Sequence, residues 1–259
     1  MPPLARPLPA DYPSIRQQLD ALEDTLTGAS NRDPPLPGSP IKFRKYNPKI
    51  RGLGLDWPST AMTMVGRKRL HNFRKLVERV IRGNVPGDII ETGVWRGGAS
   101  IMARAVLDAW QASDRKIIVA DSFEGLPPPS PGQWPADEAS DLHTYDELAV
   151  SLEQVQANFE QFGLLDEQVV FLKGWFRDTM SQVESSQLAI IRLDGDMYES
   201  TIDPLVHLYD RLSAGGWVIV DDYGVIPACK QAVHDFFEMK GIQPRLRAID
   251  GIGIFFRKA

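Results

Sequence analysis

The sequence predicts an α/β fold: a doubly wound, mostly parallel sheet that carries helices on both faces and ends in an antiparallel hairpin. From about residue 61, short apolar segments alternate with longer segments of helical periodicity, an order typical of parallel sheets. Apolar residues make up 43% of the 259 residues, which is enough for a buried core. The last segment places two short strands around Asp250 and Gly251, a residue pair that favours a tight hairpin turn.

The individual elements are predicted from length and pattern. Five short apolar runs are interpreted as parallel strands, and five longer amphipathic runs as helices, the first of which ends near Gly83. One helix is expected to be closed by Gly163, and another to carry Pro204 in its first turn and a pair of glycines at its end. The predicted strands are DIIETG, KIIVADSF, QVVFLKG, LAIIRLDGD and GWVIVDDYG. The predicted helices are MVGRKRLHNFRKLVERVIRG, SIMARAVLDAW, DELAVSLEQVQANFEQFG, DPLVHLYDRLSAGG and PACKQAVHDFFEMKG.

Residues 1–60 are predicted to form an N-terminal arm, followed by a domain that spans residues 61–259. About half of the 20 prolines lie in this arm, and the stretch NRDPPLPGSP excludes regular structure there. One helix, SIRQQLDALEDTL, precedes that stretch and has apolar residues at helical spacing. Such an arm either stays disordered, covers a site or reaches a second subunit.

Composition and charge argue against several classes of function. A net charge of −5 argues against a basic nucleic-acid-binding surface. No run of 18 apolar residues is present, so no membrane span is expected, and the first residues lack the apolar core of a secretory signal. The single cysteine, Cys229, leaves no internal disulfide. These observations indicate a cytoplasmic protein.

The loop after the first predicted strand has the sequence ETGVWRGGAS. Gly93 and Gly97 allow a tight turn and a close approach of a ligand to the backbone, and the following helix begins where negative charge is favoured. A dinucleotide-binding motif has a middle glycine where this chain has Trp95, so an NAD site is disfavoured. The alternative is that both glycines serve packing alone.

The next two strand ends predict a site for adenosine. Asp121 ends the second strand, where a carboxylate accepts hydrogen bonds from both ribose hydroxyls in folds of this type. Trp175 or Phe176, after the third strand, is expected to flank the adenine ring. The alternatives are a helix cap or loop carboxylate for Asp121, and core positions for the two aromatic residues.

Four aspartates follow the fourth and fifth strands. Asp194 and Asp196 end one strand, and Asp221 and Asp222 end the next. Four carboxylates at neighbouring strand ends repel one another unless a cation lies between them. Oxygen ligands without cysteine or clustered histidine are typical of Mg²⁺. We therefore expect a magnesium site with one aspartate left as a general base, the alternative being that some of the four are caps or loop charges.

Five segments, in this order, resemble the macrocin O-methyltransferase family. They are DIIETGVWRGGASIMARAVL, VADSFEGLP, GLLDEQVVFLKGWFRDTM, RLDGDMYESTIDPL and GGWVIVDDY. Members of that family are sugar O-methyltransferases that use S-adenosylmethionine and Mg²⁺ and act on the deoxysugars of macrolide and aminocoumarin antibiotics. The resemblance covers roughly residues 61–259. It implies the class I methyltransferase fold, with seven strands and a reversed last hairpin, and it implies a homo-oligomer.

The resemblance also assigns roles to residues. It implies that Asp196 is the catalytic base and that the acceptor is a small-molecule glycoside or an oligosaccharide. Trp95 is consistent with the family, which carries a bulky residue at that position. The implied metal ligands are Asp194, Asp221 and Asp222. The implied cofactor-binding residues are Met64, Val65, Glu91, Thr92, Gly93, Ser100, Asp121 and Ser122, to which the strand-end argument adds Trp175.

A long insert between the second strand and its helix, residues 126–147, is expected to form a lid over the acceptor. His143 and Tyr145 are candidate substrate contacts, although a loop histidine and a helix-start tyrosine without a role fit the pattern as well. Two other functions stay open: a nucleotide-binding, metal-dependent hydrolase or transferase on a similar sheet, and a non-catalytic module that binds S-adenosylmethionine. A phosphate-binding P-loop motif is missing from the sequence, which disfavours the first.

Overall fold

The computed structural model describes residues 6–37, 44–130 and 132–259. Within these residues seven strands form one sheet in the order β3-β2-β1-β4-β5-β7-β6. The first five are parallel to one another, and β7 runs antiparallel to both β5 and β6. The doubly wound sheet and its closing hairpin are therefore confirmed. The strands are β1 Asp88–Thr92, β2 Ile117–Asp121, β3 Val169–Lys173, β4 Leu188–Leu193, β5 Leu212–Val220, β6 Arg247–Ala248 and β7 Ile254–Arg257.

Helices cover both faces of the sheet. Three helices, α3, α4 and α5, lie with α1 on one face, and α7 and α8 lie on the other. None of the helices in the described part of the chain is both long and apolar enough to cross a membrane. The helices are α1 Tyr12–Leu26, α2 Pro48–Gly52, α3 Arg67–Arg82, α4 Gly98–Ala109, α5 Leu152–Gln161, α6 Phe176–Thr179, α7 Tyr198–Leu208 and α8 Pro227–Lys240.

The central strands are buried on both faces, which explains their nearly continuous apolar sequence. Neighbouring residues of one strand enter opposite cores: Ile89 packs under α3 and α4, whereas Ile90 packs against the side of α7 and α8. Both side chains are fully buried. Each such isoleucine contributes roughly 1.5–3 kcal/mol to folding by leaving water. The sheet is thus a rigid platform for the loops at its edge.

Strand order reverses around β1, which pairs with β2 on one side and with β4 on the other. Backbone hydrogen bonds continue past the strand ends, since Gly93 N donates to Ala120 O and Asp194 N donates to Thr92 O, each at 2.9 Å. The loops after β1, β2 and β4 are therefore held side by side. This is the position at which doubly wound sheets bind ligands.

Two helix predictions were wrong at their boundaries. Helix α7 begins at Tyr198, so Pro204 lies inside it instead of in its first turn, and the glycine pair lies in β5. The reason is a long-range cap: the Asp137 carboxylate accepts hydrogen bonds from the backbone N–H groups of Tyr198 at 2.7 Å and Glu199 at 3.0 Å.

The helix expected from Asp146 also starts later. Residues 146–148 form a single 3₁₀ turn, and α5 begins at Leu152 after Ser151, whose hydroxyl accepts a hydrogen bond from Gln154 N at 3.2 Å. A serine side chain competes for backbone donors and favours the cap position over the helix interior. The C-terminal end agrees with the prediction, because Gly163 closes the turn with a φ of 66°.

The described part of residues 1–60 packs on the domain. Ile15, Leu19 and Leu26 of α1 are buried against α3 and α4. A second short helix, α2, which the sequence did not predict, presents Arg51, and its buried guanidinium pairs with Asp56 at 2.8 Å. The division of the chain at residue 60 stays a prediction. The end of the stretch NRDPPLPGSP lies outside the described residues.

Candidate active site

One cleft lies beyond the C-terminal ends of β1 to β4. It encloses about 770 Å³, including its open mouth. Glycines, aromatic side chains and carboxylates line its walls, so one part of the cleft is apolar and another part is charged. The predicted site residues that line it are Met64, Gly93, Asp121, Ser122, Trp175, Asp194 and Asp196.

The glycine turn after β1 is shaped by a close backbone contact. Gly93 has a φ of 85°, and a Cβ added there would lie 1.9 Å from the carbonyl oxygen of Asp194. Any other residue would push the β1 and β4 loops apart. Trp95 lines the cleft, and its indole Nε1 donates to the Glu147 carbonyl at 2.9 Å, which ties this turn to the end of the insert.

Asp121 is held by backbone donors from two loops. Its carboxylate accepts hydrogen bonds from Val94 N at 2.7 Å and Phe123 N at 2.8 Å. Burial raises the pKa of Asp121, and these hydrogen bonds oppose the rise. Ser122 Oγ also donates to Oδ1, at 3.4 Å, so the remaining acceptor capacity lies mainly on Oδ2. The side chain is thus oriented with capacity left for ligand hydroxyls.

Glu91 lies beneath the cleft. Only 1% of its surface is exposed, Ser100 donates its hydroxyl to one oxygen, and Arg192 Nη1 donates to the other at 2.6 Å. Burial raises the pKa of Glu91 to about 7, although Arg192 lowers it. Glu91 and Ser100, with the buried Thr92 and Val65, are absent from the cleft wall. Their direct contact with a cofactor stays a prediction.

The three predicted metal ligands are brought together. Carboxylate oxygens of Asp194, Asp221 and Asp222 lie within 4.8 Å of one another. Two arginines that the sequence analysis missed reach the same group: Arg192 donates to Asp194 at 2.8 Å and to Asp221 at 2.6 Å, and Arg69 donates to the other oxygen of Asp221. Asp221 is therefore the most neutralised of the three carboxylates.

Asp222 is the least satisfied of the three. Its Oδ2 atom is buried, and no donor among the described residues reaches it. Burial raises the pKa of Asp222 well above its usual range, and the neighbouring charges of Asp196 and Asp194 add to the rise. A buried carboxylate oxygen without a donor, beside a second carboxylate, is a favourable ligand arrangement for a hard cation.

Asp196 lines the cleft together with Asp194, and its charge also acts on Asp222. Its φ of 61° is unusual for a residue with a side chain and costs roughly 1–2 kcal/mol. Such strain is concentrated at functional sites, where the surroundings enforce it. Burial, with the charge of Asp194, raises the pKa of Asp196 to about 7, whereas Arg69 lowers it. The group is suited to accept a proton near neutral pH.

The insert is attached to the domain at several points. Asp137 caps α7, and the Trp134 ring lies 5.0 Å from that of Tyr198. Tyr145 packs edge-to-face on Trp57 at 5.5 Å, whereas His143 is exposed. Neither Tyr145 nor His143 lines the cleft, and their role as substrate contacts stays a prediction.

The cleft wall also contains residues that the sequence motifs did not indicate. Arg177 comes from α6, and Glu199, Ser200 and Asp203 come from α7, whereas Phe176, which begins α6, was expected beside the adenine as an alternative to Trp175. The sequence contained a signal for two of them, because Glu199 and Asp203 are four residues apart and share a helix face. That pattern did not enter the prediction, because the helix was expected to begin only at Asp203.

The chain is similar to a known family along almost its whole length. The family model described as Macrocin-O-methyltransferase (TylF) matches residues 21–258. An 8-demethyl-8-(2,3-dimethoxy-alpha-L-rhamnosyl)-tetracenomycin-C 4'-O-methyltransferase from Streptomyces olivaceus is 50% identical over 92% of this chain and 91% of its own. A mycinamicin III 3''-O-methyltransferase from Micromonospora griseorubida is 45% identical over 95% of this chain and 97% of its own.

A solved structure agrees with the same family. The O-methyltransferase NovP superimposes with a TM-score of 0.91 and 44% sequence identity, over 95% of this chain and 99% of that chain. The expected class I methyltransferase fold is thereby confirmed. The match from residue 21 also extends the resemblance into α1, beyond the range that the sequence motifs covered.

Proposed function

The chain belongs to the macrocin-O-methyltransferase family, and from this membership and the geometry of the cleft we propose that it transfers a methyl group from S-adenosylmethionine to a sugar hydroxyl. Family membership favours this reaction over the nucleotide-dependent hydrolase and the non-catalytic module. The observation that carries the proposal is the position of Asp196, in the cleft between the proposed cofactor half and the carboxylates after β4 and β5.

The cofactor half of the cleft fits S-adenosylmethionine. The methionine end would lie at the Gly93 turn, the ribose hydroxyls at Asp121 and the adenine beside Trp175. Ser122 and Met64 complete the same wall. Such a placement directs the sulfonium methyl group toward the loop after β4, because this loop lies directly beside the β1 turn.

Mg²⁺ is proposed as the metal, held by Asp194, Asp221 and Asp222. The unpartnered Asp222 oxygen and the all-carboxylate set support this choice. When bound, the ion supplies positive charge that stabilises an alkoxide. Arg192 and Arg69 hold Asp221 in place and offset part of the repulsion among the three carboxylates.

Asp196 is proposed as the base that accepts the proton of the acceptor hydroxyl. A neutral sugar hydroxyl is a poor nucleophile, and removal of its proton as it attacks the methyl carbon lowers the barrier. The chain's further contribution is position, since oxygen, methyl carbon and sulfur must lie in line. Asp196 is attached to the rigid end of β4 and is therefore well placed for this task.

The acceptor is proposed to be a glycosylated natural product or an oligosaccharide. The two curated relatives above are named for methylation of such compounds, one at a 4' and one at a 3'' position. The insert at residues 126–147 is proposed to cover this acceptor. A homo-oligomeric state and a cytoplasmic location stay predictions of the sequence and its family.

The test is methyl transfer measured by mass spectrometry. The protein is incubated with S-adenosylmethionine and a panel of desmethyl glycosides, with and without EDTA and added Mg²⁺. We expect one product in which a methyl group has replaced one hydroxyl hydrogen, loss of this product in EDTA and its recovery with Mg²⁺. Full activity in EDTA would exclude the metal, and the Asp222→Asn variant should resemble the EDTA-treated enzyme.

A further inference from the structure

We propose that Asp203, supported by Glu199, recognises the exocyclic amino group of the cofactor's adenine and so selects adenine over bases that carry oxygen at that position. This inference rests on the proposed function, because it requires the cofactor to lie in the cleft. Both residues belong to α7, and both line the same cleft as Asp121 and Trp175.

The order of residues along the cleft places the adenine near α7. Gly93 lies at the end of β1, Asp121 at the end of β2, and Gly174 and Trp175 follow β3. If the Asp121 carboxylate binds the ribose, the adenine extends away from the β1 turn, toward the residues after β3. Helix α6 starts there and contacts α7, so the outer edge of the adenine faces the α7 side chains.

The two carboxylates have unused capacity to accept hydrogen bonds. Glu199 is 4% exposed, and its Oε2 atom has no partner among the described residues. Its Oε1 atom accepts from Arg177 at 3.3 Å. The buried Oδ2 atom of Asp203 likewise lacks a donor. Burying a carboxylate without donors is costly, so a ligand that brings an N–H group gains from this wall.

Adenine supplies the matching donor. Its amino group is the N–H donor on the part of the cofactor that lies farthest from the methionine. The neighbouring Trp175 and Phe176 offer apolar faces to a flat base and no competing acceptor. Arg177 carries donors only, so it cannot accept from the amino group itself. Its bond to Glu199 instead holds that carboxylate beside Asp203 on the same helix face.

The experiment compares two product analogues by calorimetry. S-adenosylhomocysteine carries the amino group, and S-inosylhomocysteine carries oxygen in its place. Binding is measured at pH 8, because burial raises the pKa of Asp203 to about 6 and the carboxylate is ionised at pH 8. We expect the adenosyl compound to bind about 10- to 100-fold more tightly, the range for a hydrogen bond to a charged group.

The Asp203→Asn variant tests the residue. Its amide N–H₂ can donate to the inosine oxygen, so the preference for adenosine should shrink by about tenfold or reverse. Asp178→Asn is the matched control, since Asp178 also approaches Arg177 but is 64% exposed and lies off the cleft wall. The control should keep the wild-type preference.

Each outcome decides the inference. Equal affinity of the wild-type protein for the two compounds would overturn it. This test uses the wild-type protein alone, so it does not depend on whether a variant folds. An unchanged preference in Asp203→Asn would overturn it as well. Either result would leave the proposed function intact, because the adenosyl compound still binds. Failure of the wild-type protein to bind S-adenosylhomocysteine at all would instead reject the proposed function together with this inference.

Discussion

The two halves of the cleft differ in how they are built. The half after β1 to β3 consists of glycines, aromatic residues and one carboxylate, Asp121, which backbone N–H groups hold in place. The half after β4 contains Asp194 and Asp196, and Asp221, Asp222 and two buried arginines lie near them without lining the cleft. The first half is lined mostly by apolar and backbone groups. In the second half neighbouring carboxylates repel one another, and the proposed cation would relieve that repulsion.

Because of this contrast, substitutions in the two halves are expected to have different effects. In the first half the backbone forms much of the wall, so substitutions there are expected to cause steric clashes that destabilise the fold. In the second half side chains supply the functional groups, so isosteric substitutions there are expected to leave the fold intact and to lower activity.

The largest effect is expected at Asp196, in the charged half. Asp196→Asn keeps the shape of the side chain and removes the proton acceptor, so kcat should fall by roughly 10²- to 10⁴-fold. Binding of S-adenosylmethionine should change little. Steady-state kinetics and calorimetry measure the two quantities separately. Asp210→Asn, at an exposed position that pairs with Lys240, is the control and should retain full activity. An active Asp196→Asn enzyme would rule out this base.

A folding defect is expected at Gly93, where the two halves meet. Gly93→Ala would place a methyl group 1.9 Å from the Asp194 carbonyl oxygen at a φ of 85°, so the free energy of unfolding should fall by about 3 kcal/mol. Urea unfolding followed by circular dichroism measures it. Gly163→Ala is the matched control: its φ is 66°, but apart from its chain neighbours no heavy atom of the described residues lies within 4 Å of the added Cβ. The control should lose only about 1–2 kcal/mol. Equal losses would show that the contact with Asp194 is unimportant.

The smallest effect is expected at Asp137, where the insert joins the charged half. Asp137→Ala removes the cap from Tyr198 N and Glu199 N, which should lower the free energy of unfolding by about 1 kcal/mol. Helix α7 then frays at its first turn, beside Asp196. Asp141→Ala, at an exposed position in the same insert, is the control and should change stability by less than about 0.5 kcal/mol. Chemical denaturation compares the two, and equal effects would contradict the cap.

The residues whose position in the cleft follows from the sequence are those that local pattern encodes. Gly93, Asp121 and Asp194 each end or follow a strand, and parallel strands bring their C-terminal ends to one edge. The residues that were not predicted come from other segments of the chain. Arg69 comes from α3, and Asp137 comes from the insert. No sequence motif indicates either residue, because a buried long-range contact depends on distance in the folded structure and produces no periodic pattern in the sequence.

The order of strands and helices, the glycine turn and the position of four aspartates at strand ends all follow from sequence patterns, because apolar periodicity and turn chemistry are local. Which of those carboxylates are neutralised depends on how the elements pack. Asp221 pairs with Arg192, 29 residues away, and with Arg69, 152 residues away, whereas one oxygen of Asp222 has no donor within the described part of the chain. Electrostatic pairing acts through space, so it is set only after the sheet and its helices have packed.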